Sequence, residues 1–263
     1  MSDRTIFDLE QPRTTDMPVI DSHKPGYYYA LHRRHGDTYE AGRNGPRSSA
    51  SGMIVCMEHA GTHIDALCHQ AEHLTLCGGI KVADVEKNGG FTRHAIEEVP
   101  PIVGPAVLLD VPALLGVDCL EQEYLISLDE LKRCCDRQGV EITSGDTVLV
   151  RTGNAQRWDD EEAYLAGPGV AAQASEWLAD QGVIAVGADT MAWDVIGRFD
   201  EEYGCQLPGH LILLARRGVY IIENMDLEAI AAAGHSRFEL ACLPLKFVGA
   251  TGSPVRPVAI VNH

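Results

Sequence analysis

Short runs of branched aliphatic residues, bounded by polar or glycine-containing stretches, recur along the chain from Gly52 onwards. Val107–Val111, Thr147–Val150 and Val183–Val186 read as buried strands, because a strand covered on both faces loses its polar alternation. Met53–Met57 reads as a further strand. Ser127 and Glu130 have the spacing of a capping box, which predicts a helix running to Arg137 with Gly139 as its stop. A second helix is expected from Pro168 to Asp180, ended by Gly182. A third, around Gly209 to Arg216, leads through Gly218 into the strand Val219–Glu223. Asp226 is placed to cap a short helix reaching Ala233. Leu240–Phe247 and Val255–Val261 are expected as closing strands. Helices alternating with strands predict an α/β fold.

Residues 1–51 follow no such pattern. From Arg33 to Ser51 the chain is polar and rich in Gly and Ser, which predicts a long loop. Loops of that length are commonly functional. The expectation is an N-terminal arm or lid belonging to the same domain as residues 52–263.

Composition narrows the field. The 263 residues, 45% hydrophobic and 22% charged, suffice for one domain with a full core. No apolar run approaches the roughly 20 residues that span a bilayer. Met1-Ser2-Asp3-Arg4 lacks the features of a secretory signal, so a cytoplasmic, membrane-free protein is expected. A formal charge of −17 argues against nucleic acid as partner, since phosphate binding needs a basic surface. The eight cysteines form no C-x-x-C pair and read as reduced thiols.

The chemistry concentrates in residues 59–69, His-Ala-Gly-Thr-His-Ile-Asp-Ala-Leu-Cys-His. His59, His63, Asp65 and His69 all occupy odd positions. In an extended chain alternate side chains share a face, so an extended segment kinked at Gly61 would turn all four one way. A helix would rotate Asp65 away from the histidines. Three imidazoles and a carboxylate suit a divalent metal. Cys68, at an even position, should point away from them. Gly167–Ala172 formally fits a dinucleotide fingerprint, but it follows the helix-like Glu161–Leu165 rather than a strand and is rejected. No G-x-S-x-G elbow is present.

This segment resembles the signature HxGTHxDxPxH of the cyclase family of metal-dependent hydrolases, which includes bacterial kynurenine formamidases and isatin hydrolase. Matching stretches follow in order: Gly167-Pro168-Gly169-Val170, Gly187-Ala188-Asp189-Thr190, His210 with Leu213-Leu214, Ile222-Glu223-Asn224, and Pro244-Leu245-Lys246 with Gly252–Arg256. The resemblance implies one domain with the swivelling β/β/α fold. It also implies His59, His63 and Asp65 as ligands of a first metal, and Asp65, His210 and Glu223 as ligands of a second, with Asp65 and Glu223 bridging. His69 corresponds to the family's catalytic histidine. One or two Zn²⁺ or Mn²⁺ ions per subunit and a homodimer or homotetramer are implied as well.

The reaction expected is hydrolysis of a C–N bond in a small cyclic amide, imide or formamide, with His69, at an ordinary pKa near ~6.5, as general acid and base. An arylformamidase acting on N-formylkynurenine, a lactone hydrolase and a metal-binding protein without turnover stand as alternatives. Two departures bear on specificity: Leu67 replaces the signature's proline, and Ile20 stands where kynurenine formamidases carry an aromatic residue. Tyr27-Tyr28-Tyr29 offers replacement aromatics. His73 is a candidate supporting partner of His69, and Asp189 and Asp194 are candidates for shaping the pocket.

Overall fold

The computed structural model describes residues 4–263. Nine strands form one curled sheet: β1 (Arg4–Asp8), β4 (His63–Asp65), β5 (Ile102–Asp110), β6 (Thr147–Arg151), β7 (Ala185–Ala188), β8 (Tyr220–Glu223), β9 (Arg237–Cys242), β10 (Gly252–Pro254) and β11 (Val258–Asn262). Their order across the sheet is β1-β11-β9-β5-β6-β7-β8-β4-β10. The central strands β5 to β8 run parallel and the flanks antiparallel. Strands β2 (Tyr27–Arg33) and β3 (Ser51–Cys56) form a separate antiparallel hairpin.

Period-two alternation divides the apolar side chains between two cores. Val107, Leu109, Val148, Val150, Val186 and Ile221 face helices α1 (Leu128–Gln138) and α2 (Ala172–Asp180), packing on Leu131, Cys134, Ala174 and Leu178. Their neighbours Leu108, Leu149, Ala185 and Ile222 face the other way, towards Ile64, Leu76, Ile96 and Leu240. The capping box is complete at α1: Ser127 Oγ accepts from the Glu130 amide, and the Glu130 carboxylate accepts from the Ser127 amide. Helix α3 (Pro208–His210) continues as a π-helical segment (Leu211–Arg217), and α4 spans Glu228–Ala232. No helix among the described residues is long and apolar enough to cross a membrane.

Several expectations are displaced. The second helix starts at Ala172, not Pro168, because Gly169–Val170 pair with Leu125–Ile126 as a short parallel ladder. The strand expected at Val183–Val186 is Ala185–Ala188. Of Leu240–Phe247 only the start is strand; beyond Cys242 the chain leaves the sheet, where Leu245 donates its amide to Ser253 Oγ. The N-terminal region is more ordered than its composition indicates. It contributes edge strand β1 and the β2–β3 hairpin, whose 34–50 connection holds one helical turn at Ala41–Asn44. A main-sheet strand followed by a protruding hairpin carries no periodicity for a sequence window to detect.

Candidate metal centre

The segment 59–69 is not one extended strand. Only His63–Asp65 form a strand; His59 lies in the preceding turn, and Leu67–His69 form a 3₁₀ turn. The imidazoles converge because the chain bends twice, at Gly61, with φ +63°, and again after Asp65. Arg13 fixes the first bend: its guanidinium donates to the carbonyls of Ala60 and Thr62, and its Nε pairs with Glu10 at 3.1 Å. A side chain at Gly61 would collide with that guanidinium.

Sheet register brings in the distant partner. β8 pairs antiparallel with β4, setting Glu223 opposite His63 and Ile221 opposite Asp65. Ile221 faces the helical layer, so by alternation His63, Asp65 and Glu223 face it too. His210, on α3, enters from that layer. On the other edge β10 sets Gly252 opposite Asp65, and a Cβ at 252 would stand 2.6 Å from the His59 ring.

All six expected residues are brought together. His63 Nε2 lies 3.4 Å from Asp65 Oδ1 and 3.3 Å from Glu223 Oε2; His210 Nε2 lies 3.1 Å from Glu223 Oε1 and 3.7 Å from Asp65 Oδ2. His59 Nδ1 is 2.8 Å from Asp65 Oδ1, and the His69 ring stacks on His59 at 3.9 Å. Potential ligand atoms fall into two groups with all separations within 4.8 Å: His59, Asp65 and His69, and His63, Asp65 and Glu223. Asp65 is common to both.

The outward nitrogen of each ligand-type imidazole is already engaged, which assigns its tautomer. His63 Nδ1–H donates to the Gly61 carbonyl at 2.8 Å, and His210 Nδ1–H donates to Asp194 Oδ2 at 2.7 Å. Thr251 donates its hydroxyl to Glu58, so its Oγ1 accepts from His59 Nε2–H at 2.8 Å. The inward atoms are then lone pairs facing carboxylates. His63 Nε2 and Asp65 Oδ2 are buried with no hydrogen-bond partner. Acceptors pressed together in a buried space require a positive charge among them. The donor set of imidazoles and carboxylates fits a divalent cation, with zinc-type and manganese-type ions both matched.

The same carboxylates favour any positive charge placed among them, a proton on an imidazole as much as a metal ion. Burial opposes a charge on His63, but the carboxylates of Asp65 and Glu223 outweigh it and raise the imidazole to about 10. His210 is driven up likewise against its burial, by Glu223 and Asp194. Glu223, despite burial beside Asp65, is held down to about 2 by His210 and His63. His69 does not keep an ordinary value near 6.5; burial outweighs the pull of Asp65 and lowers it to about 3. It is therefore a neutral imidazole, and burial makes it a weaker base than a free one.

The remaining candidates separate. Asp194 touches the centre through His210 and also accepts from the Gly209 and His210 amides at 2.7 and 3.1 Å. Asp189 does not; it anchors the loop after β6, accepting from Thr152 N, Thr152 Oγ1 and Gly153 N, and burial pushes it up to about 6. His73 is exposed and Cys68 packs into the core. Asn224 was legible only as part of a motif. Its side chain donates to the Gly61 carbonyl at 3.1 Å and accepts from Tyr164 Oη at 2.9 Å, tying the end of β8 to the bend at Gly61. A cleft of about 800 Å³ is walled by Tyr27, Ile54, Met57, Glu58, Leu245 and Phe247; it reaches the chain neighbour of His59 but none of the six converging residues lines it.

The family pattern described as putative cyclase matches residues 7–195. A cyclase-like protein 3 of Oryza sativa subsp. japonica is 30% identical over 224 residues, covering 83% of this chain and 68% of its own length. A kynurenine formamidase of Salinibacter ruber is 30% identical, covering 84% of this chain and 85% of its own. An isatin hydrolase of Roseibium aggregatum is 26% identical over 79% of this chain and 73% of its own. Among solved structures, one described as a novel cyclase superimposes with a TM-score of 0.85 at 27% identity, covering 97% of this chain and 88% of that one. Another, described as a predicted metal-dependent hydrolase from Bacillus stearothermophilus, gives 0.64 at 25% identity, covering 98% and 99%.

Proposed function

This chain belongs to the cyclase family and is a metal-dependent hydrolase of carbon–nitrogen bonds, and from that premise we propose its substrate class and the roles of six residues. The substrate is a small cyclic amide, imide or formamide. His59, His63, Asp65, His210 and Glu223 hold one or two divalent cations, zinc or manganese, with Asp65 common to both positions. One observation carries this reading: the inward nitrogens of His63 and His210 stand 3.3 and 3.1 Å from the Glu223 carboxylate, and His63 Nε2 and Asp65 Oδ2 are buried with no hydrogen-bond partner.

A divalent cation bound there supplies Lewis acidity, which lowers the pKa of a water from 15.7 to about 7 and polarises a carbonyl. His69 stacks on His59 with its donor atom near Asp65, which places it to accept one proton from the attacking water. The water oxygen bonds to the carbonyl carbon, the C–N bond breaks, and His69 returns that proton to the leaving nitrogen. The products are a carboxylic acid and an amine, or a carboxylic acid and an amide where the substrate is an imide. Asp194 and the Gly61 carbonyl hold His210 and His63 in the tautomers that keep Nε2 free.

The test is hydrolysis of a panel of imides, lactams, formanilides and lactones with added Zn²⁺ or Mn²⁺. Metal-stimulated C–N cleavage supports the reading; exclusive lactone cleavage replaces it with C–O hydrolysis. Metal bound without turnover on any member removes the catalytic roles. The chain is further proposed to assemble as a homodimer or homotetramer. The β2–β3 hairpin leaves Tyr28, Met53 and Ile54 half or more exposed, which supports burial against a second copy.

A further inference from the structure

The three imidazoles assigned to the cation are held from behind by different kinds of group. His63 is backed by the Gly61 carbonyl and His210 by the Asp194 carboxylate. Both of these only accept, so each fixes its ring with Nδ1–H outward. His59 is backed by the Thr251 hydroxyl, 2.8 Å from Nε2. A hydroxyl donates as well as accepts, so Thr251 alone fixes no tautomer. A further group has to set the direction of its hydrogen.

Glu58 is placed to do so. Its Oε1 lies 2.5 Å from Thr251 Oγ1, and its Oε2 accepts from the Thr251 amide at 3.1 Å. The Thr251 carbonyl accepts from the Ala66 amide at 2.9 Å, just beyond β4. Both backbone groups of Thr251 are therefore committed, and only its hydroxyl hydrogen is left to turn. Glu58 precedes His59 in the chain, yet its Oε1 is 3.9 Å from His59 Nε2, too far for a direct hydrogen bond. Its hydrogen-bonding influence on the ring passes through Thr251.

The two directions of that hydrogen have opposite consequences. Directed at Glu58, it leaves Oγ1 to accept from Nε2–H, and His59 Nδ1 keeps its lone pair. Directed at Nε2, it leaves the ring proton on Nδ1, 2.8 Å from Asp65 Oδ1. A hydrogen bond there would withdraw a nitrogen and a carboxylate oxygen from the cation together.

We propose that Glu58 is the positioning residue of His59: by taking the Thr251 hydroxyl hydrogen it keeps Oγ1 an acceptor and leaves His59 Nδ1 free for the cation. This rests on the cation-site reading above. Glu58 borders the cleft with its side chain 30% exposed, so it can be replaced without opening the core. Glutamine has nearly the same shape but only one acceptor oxygen. With that oxygen on the Thr251 amide, its NH₂ donates to Oγ1, and the hydroxyl must then donate to His59. The reverse rotamer sets NH₂ against the Thr251 N–H, donor against donor.

The test is a double-mutant cycle on the full chain, stripped of metal and titrated with Zn²⁺ against a chromophoric chelator. Glu58→Gln and Thr251→Val are each expected to weaken Zn²⁺ binding by about 10–100-fold, the worth of a group that orients a ligand. The double variant should bind no more weakly than Thr251→Val alone, because the lock acts only through the hydroxyl. Thr251→Ser, which keeps the hydroxyl, should bind like wild type. Glu58→Ala leaves the hydroxyl no acceptor but His59, follows the same cycle, and replaces Glu58→Gln should that variant not fold. Unchanged affinity in the Glu58 variants overturns the proposal, and so does the same loss with and without the Thr251 hydroxyl, which is the mark of charge acting through space. A loss in Thr251→Ser as large as in Thr251→Val also overturns it. All three results leave the cation site standing. A wild type that binds neither Zn²⁺ nor Mn²⁺ removes the cation site and this proposal with it.

Discussion

His210 Nδ1 donates to Asp194 Oδ2 across 2.7 Å, and the same carboxylate accepts from the backbone amides of Gly209 and His210. One buried side chain thus sets the tautomer, the ring orientation and the backbone of this imidazole together. Removing such a supporting carboxylate typically costs about 10–100-fold in metal affinity. Asp194→Ala is expected to bind Zn²⁺ or Mn²⁺ weaker by that factor, measured by competition with a chromophoric chelator. Unchanged affinity would show that His210 is not a ligand.

His69 and Asp65 should part company on substitution. His69→Ala is expected to retain metal by elemental analysis while losing about 10²–10⁴-fold in kcat. Asp65→Ala, which removes the carboxylate common to both groups of ligand atoms, should lose the metal itself. Metal loss in His69→Ala would make His69 a ligand, a possibility its position within 4.8 Å of the His59 and Asp65 donor atoms makes worth testing.

Metal should also act as a stabiliser of the fold, because it relieves buried lone pairs that otherwise face one another. At a hundredfold excess over Kd the gain is about 2.7 kcal/mol, or roughly 5–10 °C in Tm for a chain of this length. Calorimetry with and without EDTA checks this. Coincident transitions would count against a resident cation.

Acid should expose the contribution of Glu130. Burial tends to raise its pKa, but hydrogen bonds from Tyr124 Oη and from Ser127 outweigh this and hold it below the usual carboxylate range. A depressed folded value stabilises above about pH 4.5, where the unfolded carboxyl is ionised, and that contribution is lost as pH falls through the folded value. The stability difference between wild type and Glu130→Gln should therefore be largest near neutrality and shrink below about pH 4.5. Ser127→Ala, removing the other half of the capping box, should cost about 1 kcal/mol, near 2–4 °C in Tm.

The hairpin prediction is read from molar mass. Ile54 is 65% exposed on a two-stranded ribbon outside the main sheet, a position that tolerates charge in a monomer. Ile54→Glu is expected to shift the protein towards monomer in light scattering after size exclusion, without lowering the Tm of the separated subunit. A wild-type monomer at micromolar concentration would remove the oligomer proposal.

The amino-acid order alone made several features readable because their causes are local. A buried strand such as Thr147–Arg151 announces itself through consecutive branched residues, and α1 through Ser127, Glu130 and Gly139, all within a few residues of what they control. The crowding of His59, His63, Asp65 and His69 likewise declared a cation site before any geometry was known, though for a reason that proved incomplete. Strand parity aims only His63 and Asp65; two bends bring His59 and His69 to them, and the first is held by Arg13, far back in the chain.

What only the tertiary structure decided is everything that depends on residues meeting from afar. Glu223 reaches His63 through antiparallel register, His210 arrives on a helix of the facing layer, and Thr251 engages His59 from the opposite edge. His23 carried no signal at all, since a lone histidine in a polar segment looks like any surface residue until its ring is found against His59. Ligand identity is a property of side-chain chemistry and can be written in a short motif. Which nitrogen faces inward depends on hydrogen bonds and packing between segments up to two hundred residues apart, and these exist only once the chain has folded.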